Sequence, residues 1–459
     1  MTAAIPAPPR PTPGPTRPYN FPRFERTTLS NGMGLVVAPA RRLPLVTISE
    51  VVDAGAACDP TGQEGLAQLT ARLLAEGGTR ALDGTALAER FERLGTSFEA
   101  SADWDAAVAR LTVIRERLDD ALAMFGDVVV GPGFPEREVE RIKQERLADL
   151  LQQKAEPRGL ADDMFDRFVY AEDARYATPD GGSEQSIPRL STDDVRRFHE
   201  ARWRPGAMTL VVAGDISPDE ALAAAERTFG AWTAERPTPS VPADRAAPGG
   251  RRVHLVSKAD APQSELRIGH VGVPRLHPDY FPLVIMNAVL GGLFNSRVNL
   301  NLREAHAYTY GAFSHFDWRR GAGPFAVSTA VKSDVTADAT REVLGEIDRM
   351  RAEEITEAER SLATSYLDGV FPIRYETTST IAGALSSLVL FGLPDDYFDT
   401  YRARIRAVTA ADVRRVAEAH LRPDDLRVVV VGDPAVVRGP LESLGHGPMT
   451  VHDASGAVV

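Results

Sequence analysis

Apolar residues recur along this chain with two periods, and the switches between them mark its elements. "LPLVTISEVVDAG", from Leu43, is a near-continuous β-branched run and reads as a buried strand. Residues 62–76 then set Leu66, Leu69 and Leu73 on one helical face, and Asp83 stands where it can cap a second helix carrying Leu87, Phe91 and Leu94. "TSFEASAD" and "DAAVARLTV" alternate as a strand pair, and helical spacing returns over about 115–130 and 136–154. Later the plan repeats. "QSELRIGHVGVP" is a strand, "PDYFPLVIMNAVLGG" a helix, "AYTYGAFSHF" and "GPFAVSTAVK" are alternating strands, and residues 335–350 and 355–368 are amphipathic helices. Locally paired strands with helices in runs predict an α+β fold, with helices covering mostly antiparallel sheets.

Residues 190–215, "LSTDDVRRFHEARWRPGAMTLVVAGD", align without a gap to residues 408–433, "VTAADVRRVAEAHLRPDDLRVVVVGD". Both give a helix, an Arg-Pro break, and a Val-rich strand ending in Gly-Asp. We read the chain as an internal duplication. The predicted divisions are a Pro-rich arm over 1–23, one half over 24–232, a Pro/Ala/Gly-rich linker over 233–252 and a second half over 253–459. Proline at the arm's density favours an extended, mobile or surface-wrapping segment.

Composition narrows the function classes. The 459 residues carry a formal charge of -12, and no dense basic cluster exists to track a phosphate backbone, so nucleic acid is not an expected partner. No apolar run in the sequence stands out at the roughly 18–20 residues that span a bilayer, so no membrane association is expected. The single cysteine, Cys58, rules out an internal disulfide and reads as a small buried hydrophobe. The expected compartment is the cytoplasm, with the periplasm and a processed precursor left open. No nucleophile elbow, phosphate loop or dinucleotide fingerprint is present.

Two stretches carry chemistry. "GLAQLTARLLAEGGT" (65–79) and "LGGLFNSRVNLNLREAHAYTYGAF" (290–313), set in a duplicated α+β chain, resemble the inverzincin metallopeptidases, the group that includes pitrilysin, insulin-degrading enzyme and the mitochondrial processing peptidase. In that family the first stretch is a helix bearing H-x-x-E-H, two imidazoles that hold Zn²⁺ and a Glu that serves as general base. The resemblance sets Gln68 at the first His, Ala71 at the Glu and Arg72 at the second His. The third ligand, a Glu further on, falls at Ala148 or Asp149. Gln offers a weak neutral oxygen, Ala nothing, and Arg a permanent cation with no lone pair, so no metal is expected at this helix.

In the second stretch the resemblance implies that Arg303, and Tyr310 seven residues later at the start of a strand, bind the scissile carbonyl. Asn295, Ser296 and Tyr308 are the neighbouring substrate-binding candidates. Tyr308 shares a face with Tyr310 if the strand is regular. His306, a lone loop imidazole, is expected to face solvent, and Trp203, Trp232 and Trp318 to anchor core and sheets. What the resemblance implies is a zinc-free subunit of a heterodimeric metallopeptidase. A homologous partner with intact H-x-x-E-H supplies the zinc, this chain lends Arg303 and Tyr310, and unfolded peptides enter by adding to strand edges. The alternative is a non-enzymatic structural or peptide-binding homodimer of the same fold.

Overall fold

The structure is a computed structural model that describes residues 18–238 and 244–459. Two six-stranded sheets organise it. The first is built from β1 (Glu25–Thr28), β2 (Gly34–Pro39), β3 (Leu45–Val52), β4 (Glu99–Ala102), β5 (Ala107–Ile114) and β6 (Met208–Gly214), in the order β1-β2-β6-β3-β5-β4. The second is built from β7 (Arg252–Ser257), β8 (Gln263–Val271), β9 (Ala312–Phe316), β10 (Pro324–Lys332), β11 (Arg427–Gly432) and β12 (Met449–His452), in the order β12-β7-β11-β8-β10-β9. Only β2/β6 is parallel in the first sheet, and only β7/β11 and β7/β12 in the second. Five strands correspond one to one, β2-β6-β3-β5-β4 with β7-β11-β8-β10-β9, and the sheets differ at the remaining edge. The outermost strand comes from the start of the first half but from the end of the second.

Seven helices matter for the site: α1 (Leu66–Glu76), α2 (Glu136–Ala155), α3 (Pro157–Val169), α4 (Tyr280–Asn287), α5 (Glu357–Arg374), α6 (Thr378–Leu390) and α7 (Ala410–His420). The duplicated motif is visible in its caps. Ser191 and Asp194 form a capping box on the helix Thr192–Arg202, and Thr409 with Asp412 forms the same box on α7. Each helix then ends before an Arg-Pro break that turns into the central strand β6 or β11.

The halves are tied by an exchange of helices. From the first half, α3 crosses to the second sheet, where Leu160, Met164, Phe165 and Val169 pack with Val256, Val271, Val429 and Val431. From the second half, α6 crosses to β3 and β6 of the first, where Ile381 and Leu385 share a core with Val51, Val211 and Ala213. Polar registration accompanies it: Thr47 Oγ1 lies 2.9 Å from Thr378 Oγ1, and Ser49 Oγ 3.0 Å from Ser386 Oγ. Each sheet is therefore covered by its own helices on one face and by a borrowed helix on the other.

Several expectations are refined. The helix expected over 278–292 is regular only through Asn287 and then widens into a π turn, Ala288–Gly292. A side chain at Gly291 would meet Ser314 Oγ at 2.5 Å, so the close approach to β9 requires glycine there. The stretch Tyr280–Ala305 does have the length and hydropathy to cross a membrane, unlike the sequence expectation, but 61% of its window is buried within the fold, as in a core helix. Residues 1–17 of the predicted arm lie outside the described residues. Its end docks on the second half, with Phe21 stacked 4.2 Å from Phe398 and Tyr19 Oη donating to Tyr375 O at 2.9 Å. Trp203 and Cys58 are buried, and Trp232 and Trp318 pack half-buried against the cores.

Candidate functional site

Helix α1 starts at Gly65, whose φ of 95° and 2.8 Å Cβ approach to Gly181 O exclude a side chain. No N-cap side chain is present. Instead the Asp59 carboxylate accepts from the Gly65 and Ala67 N–H groups, both at 2.8 Å, and pairs with Arg175 at 3.0 Å. Burial pushes the Asp59 carboxyl up to about 6 against the pull of Arg175.

Gln68, Arg72 and Glu76 follow one face of α1 at successive turns, opposite Glu138, Arg141 and Glu145 of α2. Arg72 Nε bonds Glu76 at 2.8 Å and its terminal nitrogen meets Glu145. Arg141 reaches Glu76 at 2.7 Å, Glu145 at 2.6 Å and Glu138 at 2.7 Å. Burial works against the Arg72 cation, but hydrogen bonds and charge from Glu76 and Glu145 outweigh it and hold its pKa above the ordinary value. Burial likewise opposes the Glu76 anion, and Arg72 and Arg141 together draw its carboxyl below the usual range. Two guanidiniums and three carboxylates thus form one ion-pair network on the face that carries the positions expected to lack zinc ligands. Gln68 rests against Gly181 and Ala71 is fully buried. This donor set does not fit zinc: the only strong oxygen donors are already engaged by cations. The expected third-ligand positions, Ala148 and Asp149, are solvent-exposed, and the carboxylate that faces Arg72 belongs to Glu145, a turn earlier.

In the second half, Asn295 is exposed at the head of a short turn while Ser296 is 1% exposed and has no hydrogen-bond partner for its Oγ. Ser296 is thereby sealed from a ligand, a correction to its expected role. The reason is its neighbour: Arg297 is buried in a two-point bond to Glu359 of α5, at 2.6 and 3.0 Å, which draws the turn inward. Burial works against the Glu359 anion, but Arg297 and the Thr356 cap hold its carboxyl near about 2.

Arg303 follows in a π turn, Leu300–Ala305, its guanidinium 4.6 Å from the Phe294 ring centroid and 3.6 Å from Glu304. The Ala307 N–H bonds Arg303 O at 3.2 Å and the Tyr308 N–H bonds Leu302 O at 2.9 Å, which folds the chain back. Strand β9 then begins only at Ala312, so Tyr308 and Tyr310 are loop residues and the expected strand alternation between them does not apply. Thr309 Oγ1 bonds the Gly311 backbone, and Asn299 Oδ1 takes the Ala312 N–H at 3.0 Å, so side chains claim the groups a longer ladder would use. Tyr310 stands 94% exposed, and Phe294 and Phe313 are also exposed. Tyr308 is half-buried and stacks on His306, itself at the surface as expected.

Comparison with known proteins identifies the family. Residues 36–175 match the family described as Insulinase (Peptidase family M16), and residues 189–366 match the Peptidase M16 inactive domain. The chain is 23% identical to a probable mitochondrial-processing peptidase subunit beta of Arabidopsis thaliana, over 90% of this chain and 78% of that one. It is 22% identical to a non-peptidase homolog, YmxG, of Helicobacter pylori, over 85% of this chain and 90% of that one. The crystal structure of a peptidase M16 inactive domain from Pseudomonas fluorescens superposes with a TM-score of 0.84 at 26% identity, covering 89% of this chain and 98% of that one. With two consecutive family matches, a shared two-sheet fold and a motif helix that carries Gln68, Ala71 and Arg72, the chain belongs to the peptidase M16 family as a member without the zinc-binding residues.

Proposed function

We propose that this chain is the zinc-free subunit of a two-chain metallopeptidase acting on unfolded peptides. A homologous chain bearing H-x-x-E-H provides the metal, and Arg303 and Tyr310 of this chain bind the scissile carbonyl oxygen. The observation that carries the reading is the contrast between two sites. Both cations at α1 are taken up by its carboxylates, while Tyr310 is left almost wholly exposed and Arg303 keeps a third of its side chain accessible. A phenol has no packing reason to stand there. As negative charge develops on a carbonyl oxygen, a cation and a phenolic O–H aimed at it lower the barrier, and removing one such donor costs about 2.7–4 kcal/mol. Two relatives support both parts of the idea, one being known as a subunit and another as a non-peptidase homolog.

The test mixes the chain with its H-x-x-E-H homologue and follows cleavage of an unfolded peptide. Tyr310→Phe and Arg303→Ala should each reduce kcat/KM by roughly 10²-fold or more, with complex formation unchanged on gel filtration. An active mixture indifferent to both substitutions refutes the donated pair. A chain that forms only homodimers and never activates a homologue favours the non-enzymatic reading.

A further inference from the structure

We propose that His277, Asp279 and His420 form a binding site for one divalent transition-metal ion of zinc-like chemistry, on the second half and separate from the motif helix. One ligand atom from each residue lies within 4.8 Å of the others. The Asp279 Oδ2 atom is 2.8 Å from His420 Nε2 and 4.0 Å from His277 Nδ1, and the two imidazole rings meet edge to face at 4.8 Å. Around a metal with bonds of roughly 2.0–2.2 Å, neighbouring tetrahedral ligands stand about 3.3 Å apart. The two carboxylate–imidazole separations bracket that value and the third is within 4.8 Å, so side-chain movements of up to about 1.5 Å assemble the site, with the His277 ring giving up the Asp279 N–H that its Nδ1 accepts at 3.1 Å.

The backbone points the same way. Asp279 occupies the N-cap position of α4, where an Asp ordinarily accepts a helix N–H, yet its carboxylate makes no cap bond. It turns instead to α7, where Oδ1 takes Arg415 at 2.7 Å and Oδ2 is left between the imidazoles. A carboxylate held by an outer cation while its second oxygen faces the ligand space is oriented as metal ligands are by their supporting partners. His420, the last residue of α7, also departs from the internal repeat: the aligned position in the first half is Arg202.

The donor set decides the ion. Two imidazole nitrogens and one carboxylate oxygen suit Zn²⁺, Co²⁺ or Ni²⁺, whereas Ca²⁺ and Mg²⁺ require oxygen-rich shells. All three residues are half-buried, which leaves room for water in the remaining position. Bound there, the ion replaces the Asp279–His420 hydrogen bond and fastens the loop that leads into α4 to the end of α7. The role is that of a staple for the half that carries Arg303.

The experiment strips the full-length chain with chelator, titrates it with Co²⁺ and reads the visible absorption of low-symmetry Co²⁺, followed by displacement with Zn²⁺. One equivalent should bind, with loss of the band in His420→Ala and in His277→Gln and its retention in Arg72→Met. The urea midpoint of each metal-free variant verifies folding, and His277→Gln keeps the size of the loop residue if the alanine variant fails to fold. Absence of saturable binding in the parent chain, or a band that survives both histidine variants, overturns the proposal. Peptide cleavage is not the readout, so this result stands apart from the fate of Arg303 and Tyr310.

Discussion

Arg72 illustrates how a lost metal ligand is absorbed. Its partners Glu76 and Glu145 and their shared neighbour Arg141 are all more than a third exposed, so solvent and salt screen the network heavily. Arg72→Met should therefore cost less than about 1 kcal/mol, and urea midpoints compared in low and molar salt should show that loss shrinking. A larger, salt-independent loss would mean that the helix depends on this cation. Tyr310 makes the complementary case. At 94% exposure its conversion to Phe should move stability by no more than about 0.5 kcal/mol, so any change in activity reports chemistry rather than folding.

At the level of elements, the exchanged helices make each half depend on the other. Leu385 of α6 is fully buried in the core it shares with the first sheet, and Leu385→Ala should cost about 2–5 kcal/mol. Calorimetry should show both halves losing stability together in one transition; two separate transitions, with only the second shifted, would contradict this. Much of the element plan is legible in the sequence, because capping residues and buried strands act locally: Ser191, Asp194, Thr409 and Asp412 announce their helices, and the Val runs announce β6 and β11. The destination of α3 and α6 is not legible, since an apolar face demands a sheet without saying which. Strand β9 starts later than the sequence pattern predicts, for a related reason. Hydroxyl and amide side chains of Thr309 and Asn299 capture backbone groups that the alternation of "AYTYGAFSHF" assigns to a ladder. At the candidate site, the loss of ligands at 68, 71 and 72 was readable, but the electrostatic closure by Glu145 and Arg141 depends on how α2 lies across α1.

For the molecule as a whole, acid acts through histidines held neutral inside. His270 donates Nδ1–H to Val271 O at 2.8 Å and accepts the Arg422 N–H at Nε2, and burial followed by the Arg422 charge lowers its pKa to about 4. Because the unfolded chain takes up this proton at higher pH than the folded one, its contribution is present at neutral pH and is lost as pH falls from about 6.5 through about 4. Asp59 and Asp166, raised by burial to about 6 and about 7, titrate in an overlapping range with the opposite sign, so the parent profile alone is a poor readout. The difference between His270→Gln and the parent removes those groups. It should drift in favour of the variant by up to about 3 kcal/mol between pH 7 and pH 4, measured as urea unfolding free energies. A constant difference would show that His270 is charged in the fold. The crossing of α6 also sets a timetable for synthesis. The last strand of the first sheet is complete at Gly214, but the helix that roofs its second face ends at Leu390. At translation speeds of about 5–20 residues per second, that apolar face waits roughly 10–35 seconds for its cover, and the nascent chain is a natural client for chaperones that shield unfinished surfaces.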